Sequence, residues 1–285
     1  MGRHDRPEHS APPELFYDDT EAQKYTENSR IIGIQRTLTE RALELLAIPD
    51  DGVPRFLLDL GCGSGLSGEV LSERGHAWIG LDISRSMLGI ARSRESEGDL
   101  GLSDLGQGLP IRPGTVDGVI SVSAIQWLCN ADARSHDPRK RLKRFFETLY
   151  RCLARGGRAV LQFYPESPAQ ATMIASAAMK VGFSGGLVVD YPNSTRAKKH
   201  FLVLMVGGAP VQAVPRGLDG EPGDEGDAGE VPVAARKTRR GRHGKRRDDL
   251  GARGAVLAKK NKMRDRGVGV RADSKYTGRK RRDRF

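Results

Sequence analysis

The sequence contains few cysteines, and they do not have the spacing of a metal site. The three cysteines, Cys62, Cys129 and Cys152, are an odd number, and no two of them have Cys-x-x-Cys spacing. A disulfide framework and a zinc site are therefore not predicted, and a reducing compartment is expected. The histidines are too scattered to form a site either, so we predict no metal ligand.

Long apolar runs are also missing. The stretch Met1–Pro13 is polar and lacks the apolar region of a signal peptide. The longest apolar run toward the end, Phe201–Val206, is far too short to cross a bilayer. Position 6 is Arg6, where a myristoylation signal would need Ser or Thr. These absences predict a soluble, intracellular protein with no membrane partner.

Most of the chain lacks net positive charge, which is concentrated at its end. Residues 231–285 contain 21 Lys and Arg against 5 Asp and Glu, a net charge of +16, whereas residues 1–230 carry −5. The Gly-, Pro- and acid-rich residues 207–230 have no apolar period and are predicted to be a flexible linker. The basic segment is predicted to be disordered or partly helical and to bind RNA phosphates. Its clusters would also serve as nuclear import signals, and a merely solvated tail is the alternative.

Apolar periodicity between these extremes predicts alternating strands and helices. Residues 1–54 are expected to be a helical segment, with a capping box at Thr20–Gln23, and residues 55–206 to be the core. Helices are predicted to begin at Asp137-Pro138 and at Ser167-Pro168. The predicted strands are Phe56–Leu60, Ala77–Leu81, Asp99–Ser103, Val116–Val122, Ala159–Phe163, Leu187–Asp190 and Phe201–Val206. Seven strands with crossover helices predict a doubly wound α/β sheet.

The first predicted strand runs into a glycine turn that opens a helix. Gly61, Gly63 and Gly65 lack Cβ atoms, so backbone can approach a ligand closely at the helix N-terminus. A nicotinamide-binding fingerprint would need its third glycine at position 66, where this chain has Leu66. The spacing therefore favours S-adenosyl-L-methionine, and a nicotinamide dehydrogenase is an alternative. A tight turn without a ligand is the purely structural interpretation.

Acidic residues end the strands beside this turn. Asp82 follows the second strand, where a carboxylate can accept hydrogen bonds from both ribose hydroxyls. Asp104-Leu105 follows the third strand and resembles the methyltransferase pattern of an acid beside the adenine amine. Asp59 is predicted near the amino group of the donor. Asp104 as the cap of a turn and Asp82 as a helix-flanking acid are the structural alternatives.

Further motifs extend along almost the whole chain. They are Pro13–Tyr17, Gly106–Pro110, Ser121–Leu128, Phe183–Gly186, Tyr191–Ser194 and, in the tail, Tyr276–Arg281. Together with the glycine turn they resemble the eukaryotic 18S rRNA (guanine-N7)-methyltransferases of the small ribosomal subunit. The resemblance implies a Rossmann-like class I methyltransferase fold, 18S rRNA in the pre-40S particle as substrate, and a nuclear, nucleolar and also cytoplasmic location. It also implies a small zinc-binding activator subunit, paired along the edge strand near Leu100 and Leu102.

The resemblance also implies which residues bind the two substrates. The predicted cofactor-binding residues are Tyr25, Arg30, Asp59, Gly61, Gly63, Gly65, Asp82, Ile83, Met87, Asp104, Leu105 and Ser121. The predicted acceptor-side residues are Ser123, Gln126, Trp127 and Asn193. Gln126 would hydrogen-bond a base edge and Trp127 would stack on it, although a core role for Trp127 is equally open. Tyr25, Asn28 and Arg30 would form a lid over the donor, or simply a helix surface.

The predicted chemistry requires positioning rather than proton transfer. Guanine N7 has an in-plane lone pair and no proton to remove, so no catalytic base is predicted.

Two other functions remain open from the sequence. One is a ribosome assembly factor whose docking is its essential role, and the other is a small-molecule methyltransferase with an incidental basic tail.

Overall fold

The computed structural model describes residues 6–133, 136–194, 197–207, 217–219 and 260. The chain divides into two units, Met1–Val233 and Ala234–Phe285. Only Lys260 of the second unit is described, so the predicted basic tail lies outside the described residues. The predicted linker lies outside them too, except for Gly207 and residues 217–219.

Seven strands of the first unit form one sheet, in the order β3-β2-β1-β4-β5-β7-β6. The strands are β1 Phe56–Leu60, β2 Ala77–Asp82, β3 Asp99–Leu102, β4 Val116–Val122, β5 Leu153–Phe163, β6 Ser184–Asp190 and β7 Lys199–Met205. Strands β1 to β5 pair in parallel, whereas β7 is antiparallel to both β5 and β6. The predicted doubly wound, seven-stranded sheet is confirmed.

Helices cover both faces of the sheet. The α-helices of the described residues are α1 Pro13–Phe16, α2 Asp19–Glu27, α3 Ser29–Leu46, α4 Leu66–Glu73, α5 Arg85–Ser93, α6 Pro138–Cys152 and α7 Pro168–Val181. Short 3-10 helices are formed by Pro7–His9, Leu105–Gln107 and Ile125–Cys129. No helix among these described residues is long and apolar enough to span a bilayer.

Local signals explain where most helices begin. The Asp137 side chain accepts hydrogen bonds from two amides of α6, and Ser167 caps α7, each before a proline in the first turn. Both starts agree with the sequence. The capping box predicted at Thr20–Gln23 is wrong, because α2 already begins at Asp19 and the Asp18 side chain caps it by accepting the hydrogen bond from the Glu21 amide.

Alternating side chains of the strands supply two apolar cores. In β7, Phe201 packs on one face of the sheet and Leu202 on the other. The first face carries α3, with Leu38, and the second carries α6, with Phe145. Each of these side chains is almost fully buried, which stabilises the fold by about 1.5–3 kcal/mol per residue. The two cores hold the strand ends rigidly in place.

The segment Arg6–Tyr17, here called the N-terminal strap, is tied to the carboxyl ends of the strands. The Arg6 guanidinium donates to the carbonyl oxygens of Tyr164, at 3.0 Å, and Pro165, at 3.2 Å, just after β5. Asn130 Nδ2 donates to the carbonyl oxygen of Glu8 at 3.1 Å. The strap therefore lies against the edge of the sheet where α/β proteins bind ligands.

Candidate functional site

A cavity of about 330 Å³ lies at the carboxyl ends of β1, β2 and β4. The N-terminal strap contributes one wall, and the glycine turn after β1 contributes another. The volume lies in the range of small-molecule sites, and the position is where open α/β sheets bind ligands. The cavity therefore has the size and location of a substrate site.

The glycine turn needs glycine for two physical reasons. Gly61 and Gly63 have φ angles of 74° and 53°, in the left-handed region that other residues rarely adopt. A Cβ on Gly61 would overlap the side chain of Ala124, and one on Gly63 would lie 3.0 Å from Met87 Cε. The turn therefore presents bare backbone to the cavity, as a bound nucleotide-like ligand requires.

Asp82 is held rigidly beside this turn. Its Oδ2 accepts a hydrogen bond from the Gly63 amide and its Oδ1 from the Ser84 amide, both at 2.8 Å. Burial raises the pKa of Asp82, while these backbone donors act in the opposite direction. Each carboxylate oxygen can still accept a further bond. The geometry therefore suits the predicted contact with two ribose hydroxyls.

Asp59 lies behind the turn and not on the cavity wall. The carboxyl is fully buried, its Oδ2 accepts from Ser67 Oγ at 2.6 Å, and its Oδ1 has no partner among the described residues. Burial raises the pKa of Asp59 to about 7. Ser67 is the residue on the wall, so it separates Asp59 from the position predicted for the amino group.

Asp104 is both a turn cap and a wall residue. Its Oδ1 accepts from the Gly106 amide at 2.8 Å and from Arg141 Nη2 at 2.7 Å. Arg141 is only 8% exposed, and its Nη1 lies 3.3 Å from His136 Nδ1. A Cβ on Gly106 would overlap the Arg141 guanidinium. Arg141 was not predicted as a site residue. Its position in the sequence shows only a basic residue at the edge of the apolar face of α6.

The end of β4 supplies the opposite wall. Ser123 has a φ of 58°, a strained conformation that is common at functional sites, and its Oγ donates to Gln162 Oε1 at 2.9 Å. Gln126 Nε2 donates to the Ser123 carbonyl, while its buried Oε1 has no partner among the described residues. Trp127 is 8% exposed and its ring centroid lies 6.1 Å from that of Tyr17. Trp127 therefore belongs to the wall and to the core.

The structure brings most predicted site residues to one cavity. The predicted residues on its wall are Tyr25, Asn28, Arg30, Gly61, Gly63, Asp82, Ile83, Met87, Asp104, Leu105, Ser123, Gln126 and Trp127. Those outside the wall are Asp59, Gly65, Ser121 and Asn193. Wall residues that were not predicted as site residues include Glu8, Tyr17, Ser64, Ser67, Arg141 and Tyr164. The roles assigned to individual residues remain predictions.

The residues outside the wall have identifiable positions. Gly65 starts α4, where a Cβ would lie 2.5 Å from Ser96 Oγ. Ser121 donates from its buried Oγ to the Leu60 carbonyl at 2.7 Å, which ties β4 to β1. Asn193 is exposed in the loop after β6, the outermost strand of the sheet.

The cavity wall fits an adenosyl sulfonium donor. Besides the bare glycine turn and Asp82, Ser64 contributes a buried Oγ that has no hydrogen-bond partner among the described residues. The rings of Tyr17 and Tyr25 meet edge to face, with centroids 5.8 Å apart, and aromatic faces attract a positive charge. Burial raises the pKa of both tyrosines, so their hydroxyls stay neutral.

The sheet with a reversed β7, the glycine turn and the carboxylate on β2 define a class I S-adenosylmethionine-dependent methyltransferase. The family model described as "Methyltransferase domain" matches residues 58–161, and that described as "Methyltransferase involved in Williams-Beuren syndrome" matches residues 204–283. The chain is 58% identical to 18S rRNA (guanine-N(7))-methyltransferase RID2 of Arabidopsis thaliana, over 98% of this chain and 99% of the relative. The chain belongs to the 18S rRNA (guanine-N(7))-methyltransferase family.

Other relatives and a solved structure agree with this assignment. The mouse 18S rRNA (guanine-N(7))-methyltransferase is 53% identical over 98% of both chains. The Saccharomyces cerevisiae 18S rRNA (guanine(1575)-N(7))-methyltransferase is 51% identical over 98% of this chain and 99% of the relative. Magnesium protoporphyrin IX methyltransferase of Synechocystis, solved with bound S-adenosylmethionine, has a TM-score of 0.51 at 18% identity, covering 73% of this chain and 100% of that one. This last likeness concerns the fold alone.

Proposed function

We propose that this protein transfers a methyl group from S-adenosyl-L-methionine to N7 of a guanosine in 18S rRNA. The observation that carries this function is a single cavity in which the donor turn, at Gly61 and Gly63, faces the wall at the end of β4. Near full-length relatives with this activity in their names support the choice of acceptor.

The residues of the chain act by positioning. S-adenosylmethionine supplies an electrophilic methyl group on a sulfonium. The Gly63 backbone and the Asp82 carboxylate would hold the donor, and Gln126 and Trp127, on the wall of the same cavity, would position the acceptor base. The N7 lone pair would form a bond to the methyl carbon as the sulfonium S–CH3 bond breaks, which releases S-adenosylhomocysteine and leaves the positive charge on the methylated guanine. N7 has no proton to lose, so no residue has to act as a general base. In A-form RNA the N7 edge lies in a deep, narrow groove, so the target base must be turned out or unpaired.

Mapping of N7-methylguanine in rRNA tests the function. Borohydride and aniline cleavage of small-subunit rRNA is expected to give one site in cells with the protein and none in cells without it. Asp82→Ala should abolish that cleavage, whereas Glu147→Gln, an exposed substitution on α6 outside the cavity wall, should retain it. An unchanged cleavage pattern without the protein would exclude the rRNA substrate. If ribosome maturation proceeds with Asp82→Ala, docking rather than catalysis is the essential role.

The β3 edge supports a proposed partner, a small zinc-binding activator subunit. β3 pairs with β2 on one side and forms the end of the described sheet, and the Leu102 side chain is 50% exposed there. An unpaired apolar edge is a site for strand addition or aggregation. We expect Leu102→Lys to abolish co-purification with the activator. Leu187→Lys, at the opposite edge strand with 39% exposure, should retain it.

The basic tail supports a proposed nuclear and nucleolar location, with a cytoplasmic fraction. Residues 236–247 and 279–282 carry clusters of Lys and Arg of the kind that import receptors bind. A fluorescent fusion should lose nuclear accumulation when both clusters are changed to glutamine. Retention of the nuclear signal would show that another segment directs import.

A further inference from the structure

Glu8 is an acidic residue on the acceptor side of the cavity that no motif indicated. It lies in the N-terminal strap, is half-buried, and lines the cavity together with Gln126. The main chain around it is held firmly, since Asn130 donates to its carbonyl and His9 Nε2 lies 3.5 Å from Glu166 Oε2. Within the described part of the chain, the Glu8 carboxylate forms no hydrogen bond or ion pair. Its backbone is therefore fixed while its carboxylate is available to a ligand.

Three of the other four carboxylates on the wall, those of Asp82, Asp104 and Glu14, are less suited to contact the acceptor. Asp82 is held by the amides beside the donor turn, and Asp104 is paired with Arg141. Glu14 is exposed, and Asp132 lies in the loop that leads into α6. Glu8 is also one of the charges that raise the pKa of Tyr17, after burial and Tyr25. Its carboxylate is therefore half-buried in the same part of the cavity as the aromatic residues.

Guanine is the RNA base whose donors match such a carboxylate. Its N1–H and N2–H₂ groups lie side by side on the Watson–Crick edge, and an ionised carboxylate can accept both bonds at once. Adenine and cytosine present a ring acceptor at that position, and uracil has only one ring N–H, so all three lose at least one bond. N7 lies on the other side of the purine, so a base held by its Watson–Crick edge on the strap directs N7 toward the donor turn.

We propose that Glu8 reads the Watson–Crick edge of the target guanine and is a specificity-determining residue of the acceptor site. The inference rests on the proposed rRNA function and names the residue that selects guanine. A carboxylate in a partly desolvated position forms stronger hydrogen bonds than one in water. Loss of its charge should therefore weaken guanine recognition while leaving the donor side intact.

The test compares Glu8→Gln with Glu147→Gln, an exposed α6 position outside the cavity wall, in the full chain. The substrate is small-subunit rRNA from cells lacking the protein, and a second substrate carries inosine, which lacks the 2-amino group, at the methylated position. For Glu8→Gln we expect kcat/KM on guanosine to fall about tenfold to hundredfold. The affinity for S-adenosylhomocysteine and the melting temperature should stay unchanged, and Glu147→Gln should behave like the wild type. The wild type should have a lower kcat/KM on the inosine substrate than on guanosine. Glu8→Gln should have almost the same kcat/KM on both substrates.

Three outcomes would overturn the proposal. One is normal activity of Glu8→Gln. Another is an inosine penalty as large in the variant as in the wild type, because Glu8 would then not contact the 2-amino group. The last is a parallel loss of S-adenosylhomocysteine affinity, which would place Glu8 on the donor. If the wild type itself forms no N7-methylguanine, the proposed function fails instead, so the two failures are distinguishable.

Discussion

Arg141 and Asp104 form a partly buried ion pair on the cavity wall, with Nη2 2.7 Å from Oδ1. The same oxygen accepts the Gly106 amide, so both fixed donors act on one side of the carboxylate. The other oxygen is left for the adenine amine that the sequence pattern predicts. The arginine therefore orients the residue expected to recognise the donor base, although it lies 37 positions away in the chain.

Arg141→Gln should weaken binding of S-adenosylhomocysteine about tenfold, because the charge-assisted bond that orients Asp104 is lost. Isothermal titration calorimetry measures the effect. Lys143→Gln on the same helix is the control, since Lys143 is exposed and pairs only loosely with Glu147, at 3.6 Å. The effects of Asp104→Asn and Arg141→Gln on the free energy of S-adenosylhomocysteine binding should not add up in the double variant. Full additivity would show that the two residues act separately.

Asp59 should make stability depend on pH. Its pKa is raised by burial to about 7 in the folded chain, above its unfolded value. The stabilising effect of the protonated carboxyl is complete below the unfolded pKa and is lost as pH rises through about 7. Between pH 5 and 7 the wild type should lose up to about 1.4 kcal/mol per pH unit relative to Asp59→Asn.

Urea unfolding at pH 5, 6, 7 and 8 measures this difference. Plotted against pH, the free energies of unfolding of the wild type and Asp59→Asn should diverge as pH rises. Above pH 7 or so the two plots should run parallel, because the Asp59 carboxyl is then ionised in both the folded and the unfolded chain. Ser67→Ala is a useful companion, because it removes the hydrogen bond that favours the ionised form and should therefore extend the loss of stability to higher pH without steepening the slope. Parallel curves over the whole range would contradict the prediction.

Asp190 should be a determinant of stability away from the cavity. The side chain is 2% exposed, accepts two hydrogen bonds from Arg41, at 2.9 and 3.1 Å, and a third from the Leu218 amide. Asp190→Ala leaves the Arg41 charge partly buried without this carboxylate, which should cost about 3–5 kcal/mol. Glu73→Ala breaks a solvent-exposed pair with Arg36 and should leave the unfolding midpoint almost unchanged. Chemical denaturation of both variants measures the two changes in the free energy of unfolding.

The basic tail should contribute salt-dependent RNA affinity. Deleting residues 231–285 removes a net charge of +16, so RNA binding should weaken and lose most of its dependence on salt concentration. Fluorescence anisotropy with small-subunit rRNA at 50 to 300 mM salt or so measures both quantities. Affinity for S-adenosylhomocysteine should be the same with and without the tail. If the salt dependence of RNA affinity is the same after the deletion, the tail does not contribute to RNA binding.

Sequence patterns predicted most elements of the fold and the donor side of the site. Strands β1 and β4 have the predicted bounds, whereas β5 begins at Leu153, earlier than the predicted Ala159. The start of α2 was misplaced because Asp18 competes successfully with Thr20 as the capping residue. Such errors arise where neighbouring residues satisfy the same local preference.

What the sequence by itself determined was the order of the elements, the glycine turn and Asp82. These depend on periodicity and on contacts within a few residues, and both are visible in the order of the amino acids. Only the tertiary structure decided that Glu8 lines the same cavity as Gln126, that Arg141 pairs with Asp104, and that Asp59 lies behind Ser67. Those relationships follow from strand order and side-chain packing across long stretches of chain, such as the 122 positions between Glu8 and Asn130. No local pattern encodes them, because the distance between such side chains is set by the whole sheet.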